Sequence, residues 1–107
     1  ALGLRVIATA SNDAKRNAIA ALHPGAEVID GAPGFREVVL GLTDGRGADL
    51  IFDPVGADTF DESLRCIAFD GRLLVIGFAA GRIPSVGANI PLIKGFSVVG
   101  VRAGEYG

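Results

Sequence analysis

The chain of 107 residues holds one cysteine, Cys66, one histidine, His23, and neither methionine nor tryptophan. One cysteine and one histidine cannot by themselves assemble a tetrahedral zinc site, and a lone cysteine excludes an internal disulfide. No metal-ligating set is therefore expected. Charge of one sign is also scarce. Ten Lys and Arg against twelve Asp and Glu leave a formal net charge of −2, and the basic residues are scattered. That distribution argues against nucleic acid or an anionic membrane surface as a partner. No apolar run approaches the roughly 20 residues that span a bilayer, and no secretory signal is recognisable. A cytoplasmic setting is expected. With no methionine the chain does not open on an initiator residue, and it is expected to be a piece of a longer protein.

What is present is the composition of one globular domain, with 50% hydrophobic and 21% charged residues, enough to bury a single core. Short β-branched runs alternate with amphipathic stretches, the pattern of a parallel sheet flanked by helices. Leu4 to Ala10 reads as a buried strand. Ser11, Asn12 or Asp13 can cap the following helix, whose apolar face is Ala14, Ala18, Ala21 and Leu22. His23-Pro24-Gly25 ends it.

Ala26 to Ile29 is expected to be a second strand. Pro33 suits the first turn of a second helix with Phe35, Val38, Val39 and Leu42 on one face. Thr43 to Gly47 is a run of turn formers. Ala48 to Phe52 reads as a third strand, and Asp58 as the cap of a third helix with a stripe of Phe60, Leu64 and Ile67. Asp70-Gly71 reads as a turn into a fourth strand, Arg72 to Phe78. A loop rich in Gly, Pro and Asn then leads to a fifth strand, Phe96 to Val101. The fold class is α/β, a doubly wound parallel sheet of five strands, with ligands expected at the carboxyl ends of those strands.

Four stretches, ALGLRVIATASNDAK, GRGADLIFDPVGADTF, LRCIAFDGRLLVIGFAAGRIPSV and IKGFSVVGV, occur in an order and spacing that resemble a known family. It is the nucleotide-binding domain of medium-chain dehydrogenases/reductases, in the zinc-independent quinone-oxidoreductase (zeta-crystallin-like) branch. The resemblance runs over nearly the whole chain and implies a Rossmann-type domain. It also implies that the first strand and glycine-rich turn of that domain are missing from this stretch. No G-x-G-x-x-G is present: Gly45-Arg46-Gly47 has the first spacing but is followed by Leu50 and leads into a strand.

The resemblance further implies NADPH as cofactor and hydride transfer to a quinone or α,β-unsaturated carbonyl compound. Ala10 stands where NAD-binding domains place a carboxylate for the ribose 2′-OH, and Ser11, Lys15 and Arg16 follow. A hydroxyl and cations there would suit a 2′-phosphate; read alone, without the resemblance, Lys15 and Arg16 are more readily the solvated face of a helix. Val55 and Gly56 are expected near the cofactor ribose. Gly77, Phe78 and Ala79 are expected near the nicotinamide, with Val101 on the same side. Each glycine taken singly also fits simple turn geometry.

No catalytic residue is expected in this chain, and a homodimer formed through the last strand is implied. Asp53 at a strand end invites comparison with a phospho-acceptor. The acidic pair and lysine that such domains need are poorly replaced by Asn12-Asp13 and Arg102, so Asp53 is expected to order its own turn. Cys66 is expected to be packing, and His23 has no partner nearby in sequence. A non-enzymatic binding module or a methyltransferase-like domain shares the architecture, although Ala10 counts against the latter.

Deleting the central strand of a 3-2-1-4-5-6 sheet has two possible outcomes. Either a gap persists between the first and third strands of this chain, or the two close into one five-stranded sheet.

Overall fold

The computed structural model describes residues 5–31 and 34–101. Leu4, Pro33 and Arg102, which carried expectations above, lie outside the described residues. Strand and helix alternate as β1 (Ile7–Ala10), α1 (Asp13–Leu22), β2 (Glu27–Asp30), α2 (Phe35–Leu42), β3 (Ala48–Asp53), α3 (Ala57–Ser63), β4 (Ile67–Val75), α4 (Asn89–Lys94) and β5 (Ser97–Gly100). Every strand pairing is parallel. Among the described residues the five strands form two sheets, β1 with β2 and β3-β4-β5, with no ladder between β1 and β3. Of the two expected outcomes, the gap is the one observed.

One helix ties the two sheets together. Phe35 and Val39 on α2 are buried with Cys66, and Ile7 of β1, Ile29 of β2, and Ala48 and Ile51 of β3 pack against them. The core therefore crosses the gap through side chains where no backbone hydrogen bonds do. Burying two or three large apolar side chains contributes several kcal/mol, at about 1.5–3 kcal/mol each. A second anchor is Glu62 of α3. Its Oε1 accepts from Gly34 N at 3.0 Å and Arg36 N at 3.3 Å, occupying the first-turn donors of α2.

Several local expectations need correction. Asn12, among the three candidates, caps α1, accepting from Lys15 N at 2.8 Å. The expected face of α1 is not buried: Ala14, Ala18, Ala21 and Leu22 are exposed, while Arg16 and Ile19 are half-buried. Among the described residues α1 packs chiefly against the two short strands β1 and β2, which cover little of it. On α2, Val38 is exposed. Asp58 does not cap α3; the cap position is Gly56, with no side-chain bond. Ile67 belongs to β4 and not to α3.

Asp70-Gly71 is not a turn ahead of a strand. It lies inside β4, where the register jumps from Ala48↔Ile67 to Leu50↔Arg72. That bulge is carried by Asp70 in the left-handed region (φ 64°), a conformation that aspartate tolerates better than most residues. The fourth strand accordingly starts at Ile67 and ends at Val75, short of the expected Phe78. The loop before β5 contains the short helix α4, which the sequence pattern did not announce.

Candidate functional site

The carboxyl ends of the strands carry the site. Asp53 closes β3 and is 2% exposed. Its Oδ1 accepts from Val55 N at 2.9 Å and Gly56 N at 3.0 Å, so the carboxylate shapes the turn beyond the strand, as expected from its place before Pro54. Gly56 sits at φ 74°, ψ −154°, a region essentially reserved for glycine. A Cβ there would lie 3.1 Å from Phe78 Cδ1.

The turn after β4 runs alongside. Ala79 N donates to Pro54 O at 3.1 Å and Ala80 N to Val55 O at 3.0 Å. Val101 N donates to Val75 O at 3.1 Å, bringing the end of β5 to the same edge. Thus Val55, Gly56, Gly77, Phe78, Ala79 and Val101 gather at the carboxyl ends of β3, β4 and β5. Ser11, Lys15 and Arg16 stand at the carboxyl end of β1.

The gap between β1 and β3 opens into a cleft of about 510 Å³ whose lining includes Ser11, Lys15, Ile19, Gly31, Val55 and Thr59. That volume lies in the usual range for small-molecule sites. Lys15 is the one charged residue in the lining, no carboxylate faces in, and no hydrogen bond or ion pair holds the Lys15 ammonium among the described residues. Among the described residues the Lys15 ammonium is thus the one charge that the lining brings to the cleft. Ser11, Lys15 and Val55 come together in it. Gly77, Phe78, Ala79 and Val101 lie along the same edge outside its lining.

Arg16 is oriented differently. Its Nη1 donates to Ala10 O at 2.9 Å, its Nη2 pairs with Asp13, and Asp30 Oδ1 lies 3.4 Å from Nη1.

Thr59 and Gly31 went unnoticed in the sequence. Gly31 lies outside the four motif stretches and Thr59 within one of them, GRGADLIFDPVGADTF; the fold brings both to the cleft.

A second hollow of about 350 Å³ shares Gly31 and Thr59 with the first. Most charges of its lining are paired: Arg36 lies 3.5 Å from Glu62, and Arg82, outside the lining, lies 3.2 Å from Asp58 and 2.8 Å from Asp61. The guanidinium of Arg82 is held protonated above its usual range by its hydrogen bond to Asp61. This hollow reads as the joint between α2 and α3.

Cys66 is buried, and desolvation pushes its thiol up to about 11, with the charge of Glu62 adding to the effect and Lys94 opposing it. It is a packing residue and no nucleophile at neutral pH.

Parallel strands alternating with helices, with a cleft at the carboxyl ends of the strands, are the arrangement of nucleotide-binding domains of the doubly wound class. The chain belongs to the zinc-binding dehydrogenase family, whose model matches residues 1–106. It falls among the quinone-oxidoreductase-like members of the medium-chain dehydrogenase/reductase superfamily, as its motifs implied.

It is 39% identical over 107 residues to quinone oxidoreductase-like protein 2 of Bos taurus, covering 98% of this chain and 30% of that protein. Among solved structures it is similar to a quinone oxidoreductase of Pseudomonas syringae pv. Tomato, with TM-score 0.85, 33% identity, and coverage of 98% of this chain and 33% of that one. It is also similar to the Escherichia coli quinone oxidoreductase complexed with NADPH, with TM-score 0.81, 29% identity, and coverage of 98% and 32% respectively. The chain spans about a third or less of the length of these relatives.

Proposed function

We propose that this chain forms the adenosine and ribose walls of an NADPH site in an oxidoreductase acting on a quinone or α,β-unsaturated carbonyl compound. The observation that carries the reading is Lys15, an unpaired cation among the described residues, in a cleft with no carboxylate in its lining. A ribose 2′-phosphate needs such a cation, and a carboxylate there would repel it. In this reading Ser11 and Lys15 hold the 2′-phosphate, and Val55 and Gly56 border the ribose. Gly77, Phe78, Ala79 and Val101 border the nicotinamide side, where the absence of bulk at the glycines permits close backbone approach.

When bound, the cofactor supplies the hydride. The residues of this chain bind and orient it, and none is assigned a proton to move. The similarity to an oxidoreductase solved with NADPH supports the assignment. Lys15→Ala in the full-length protein should raise KM for NADPH about tenfold, the loss of one charge-assisted contact, and leave KM for NADH unchanged. An unaltered KM for NADPH would sink this role for Lys15.

We also propose zinc-independent action and a cytoplasmic location. The single cysteine is buried, and among the described residues no group of three or more His, Cys, Asp or Glu could hold a metal. Chelator treatment of the full-length enzyme should leave its rate intact, and cell fractionation tests the location. Among the described residues no helix is long and apolar enough to cross a membrane.

A homodimer through β5 is the proposed assembly. Among the described residues β5 pairs only with β4, all four of its residues are exposed, and Val98 and Val99 are among them. Unpaired edges of that composition favour association. Val99→Pro should shift the mass in solution toward monomer; an unchanged mass would count against this interface.

A further inference from the structure

Lys15 and Arg16 are consecutive basic residues in the first turn of α1, and their surroundings separate them. Lys15 lines the cleft with no partner among the described residues. Arg16 is 22% exposed in its side chain, with its guanidinium among three acceptors. Nη2 pairs with Asp13, Nη1 lies 3.4 Å from Asp30, and Nη1 donates to Ala10 O at 2.9 Å.

Ala10 O is itself a joint. It also accepts from Gly31 N at 3.1 Å, and Ala10 stands opposite Asp30 in the parallel register. One guanidinium therefore links the last residue of β1, the last residue of β2 and the first turn of α1. Ala10, Gly31 and Ser11, all attached to that joint, line the cleft. A cation already matched by two carboxylates has little attraction left for a phosphate. A dianionic group placed beside Asp13 and Asp30 would meet repulsion.

Resting on the cofactor reading above, we propose that Arg16 is a positioning residue of the cleft, fixing the β1 tip through the Ala10 carbonyl, and that Lys15 alone supplies the cation that discriminates the 2′-phosphate. A planar fork with several donors suits the first task, and a single mobile ammonium suits the second.

The test is fluorescence titration of the full-length protein with NADPH and NADH, below its melting temperature, for wild type, Arg16→Gln, Arg16→Lys and Lys15→Gln. Arg16→Gln should raise Kd for both nucleotides by the same factor, on the order of tenfold. The NADPH-to-NADH ratio and the salt dependence of NADPH binding should stay at their wild-type values. Arg16→Lys should recover part of the loss for both, because one ammonium can still reach Ala10 O. Lys15→Gln should collapse the ratio and flatten the salt dependence.

A loss confined to NADPH in Arg16→Gln would overturn the proposal by making Arg16 a phosphate ligand. Unchanged Kd values with only a lowered melting temperature would overturn it by reducing Arg16 to a structural ion pair. A wild type that binds neither nucleotide would overturn the proposal and the cofactor reading together.

Discussion

Asp53 shows how a buried charge can serve geometry in place of chemistry. Its two amide donors, at 2.9 and 3.0 Å, make the carboxylate part of the backbone of the β3–α3 turn. Removing it leaves two N–H groups without their acceptor, at about 1–3 kcal/mol for an unsatisfied buried group. Asp53→Ala should therefore lower the urea midpoint clearly, whereas Asp53→Asn, which keeps an acceptor oxygen, should lose less than half as much. Equal losses would mean that the negative charge, and not the acceptor, holds the turn. The same distinction separates Lys15 from Arg16. Two basic side chains one position apart have different surroundings: Arg16 meets carboxylates from β2 and α1, and Lys15 lines the cleft.

At the scale of elements, the five strands and three of the helices were legible because each depends on local pattern. β-branched runs, an Asx cap and His-Pro-Gly or Asp-Gly punctuation act within a few residues. What was not legible depends on distant partners. The helix Asn89–Lys94 carries Pro91 and follows a Gly- and Pro-rich stretch, so its sequence resembles a loop. The β4 bulge was mistaken for a turn because the same Asp-Gly pair serves both. Just ahead of it, Gly47 at φ 92° lets the chain entering β3 pass close to the start of β4: a Cβ there would lie 2.6 Å from Cys66 O and 2.9 Å from Ala68 N. Gly47→Ala combines a left-handed backbone with that clash and should destabilise by at least about 2 kcal/mol. Thermal unfolding checks this, and a melting temperature within a degree of wild type would mean that the close approach of Gly47 to β4 relaxes freely. In the candidate site, the strand-end positions were readable from the order of motifs, while Gly31 and the pairing of Arg16 with Asp30 were not, because they join separate elements.

For the whole molecule, the gap between β1 and β3 is both a structural feature and the floor of the site. Side chains of α2 span it on the core side, and the cleft opens from it at the carboxyl edge. Cys66 belongs to that core, and its thiol, raised to about 11 from 9.0 by burial, makes a pH prediction with a definite sign. The folded state keeps the thiol neutral while the unfolded chain ionises it. This contribution is thus complete below about pH 9 and is lost as pH rises through about 11, roughly 2–3 kcal/mol in all. Cys66→Ala should show a shallower fall in urea stability over that window than wild type; parallel curves would remove Cys66 from the explanation.

The central claim, that this cleft receives the 2′-phosphate of NADPH, is tested most directly by comparing Kd for NADPH and NADH in the full-length protein at one fixed salt concentration. NADPH should bind at least about tenfold more tightly, with a preference that shrinks as salt rises. Equal affinities, or tighter binding of NADH, would contradict the account.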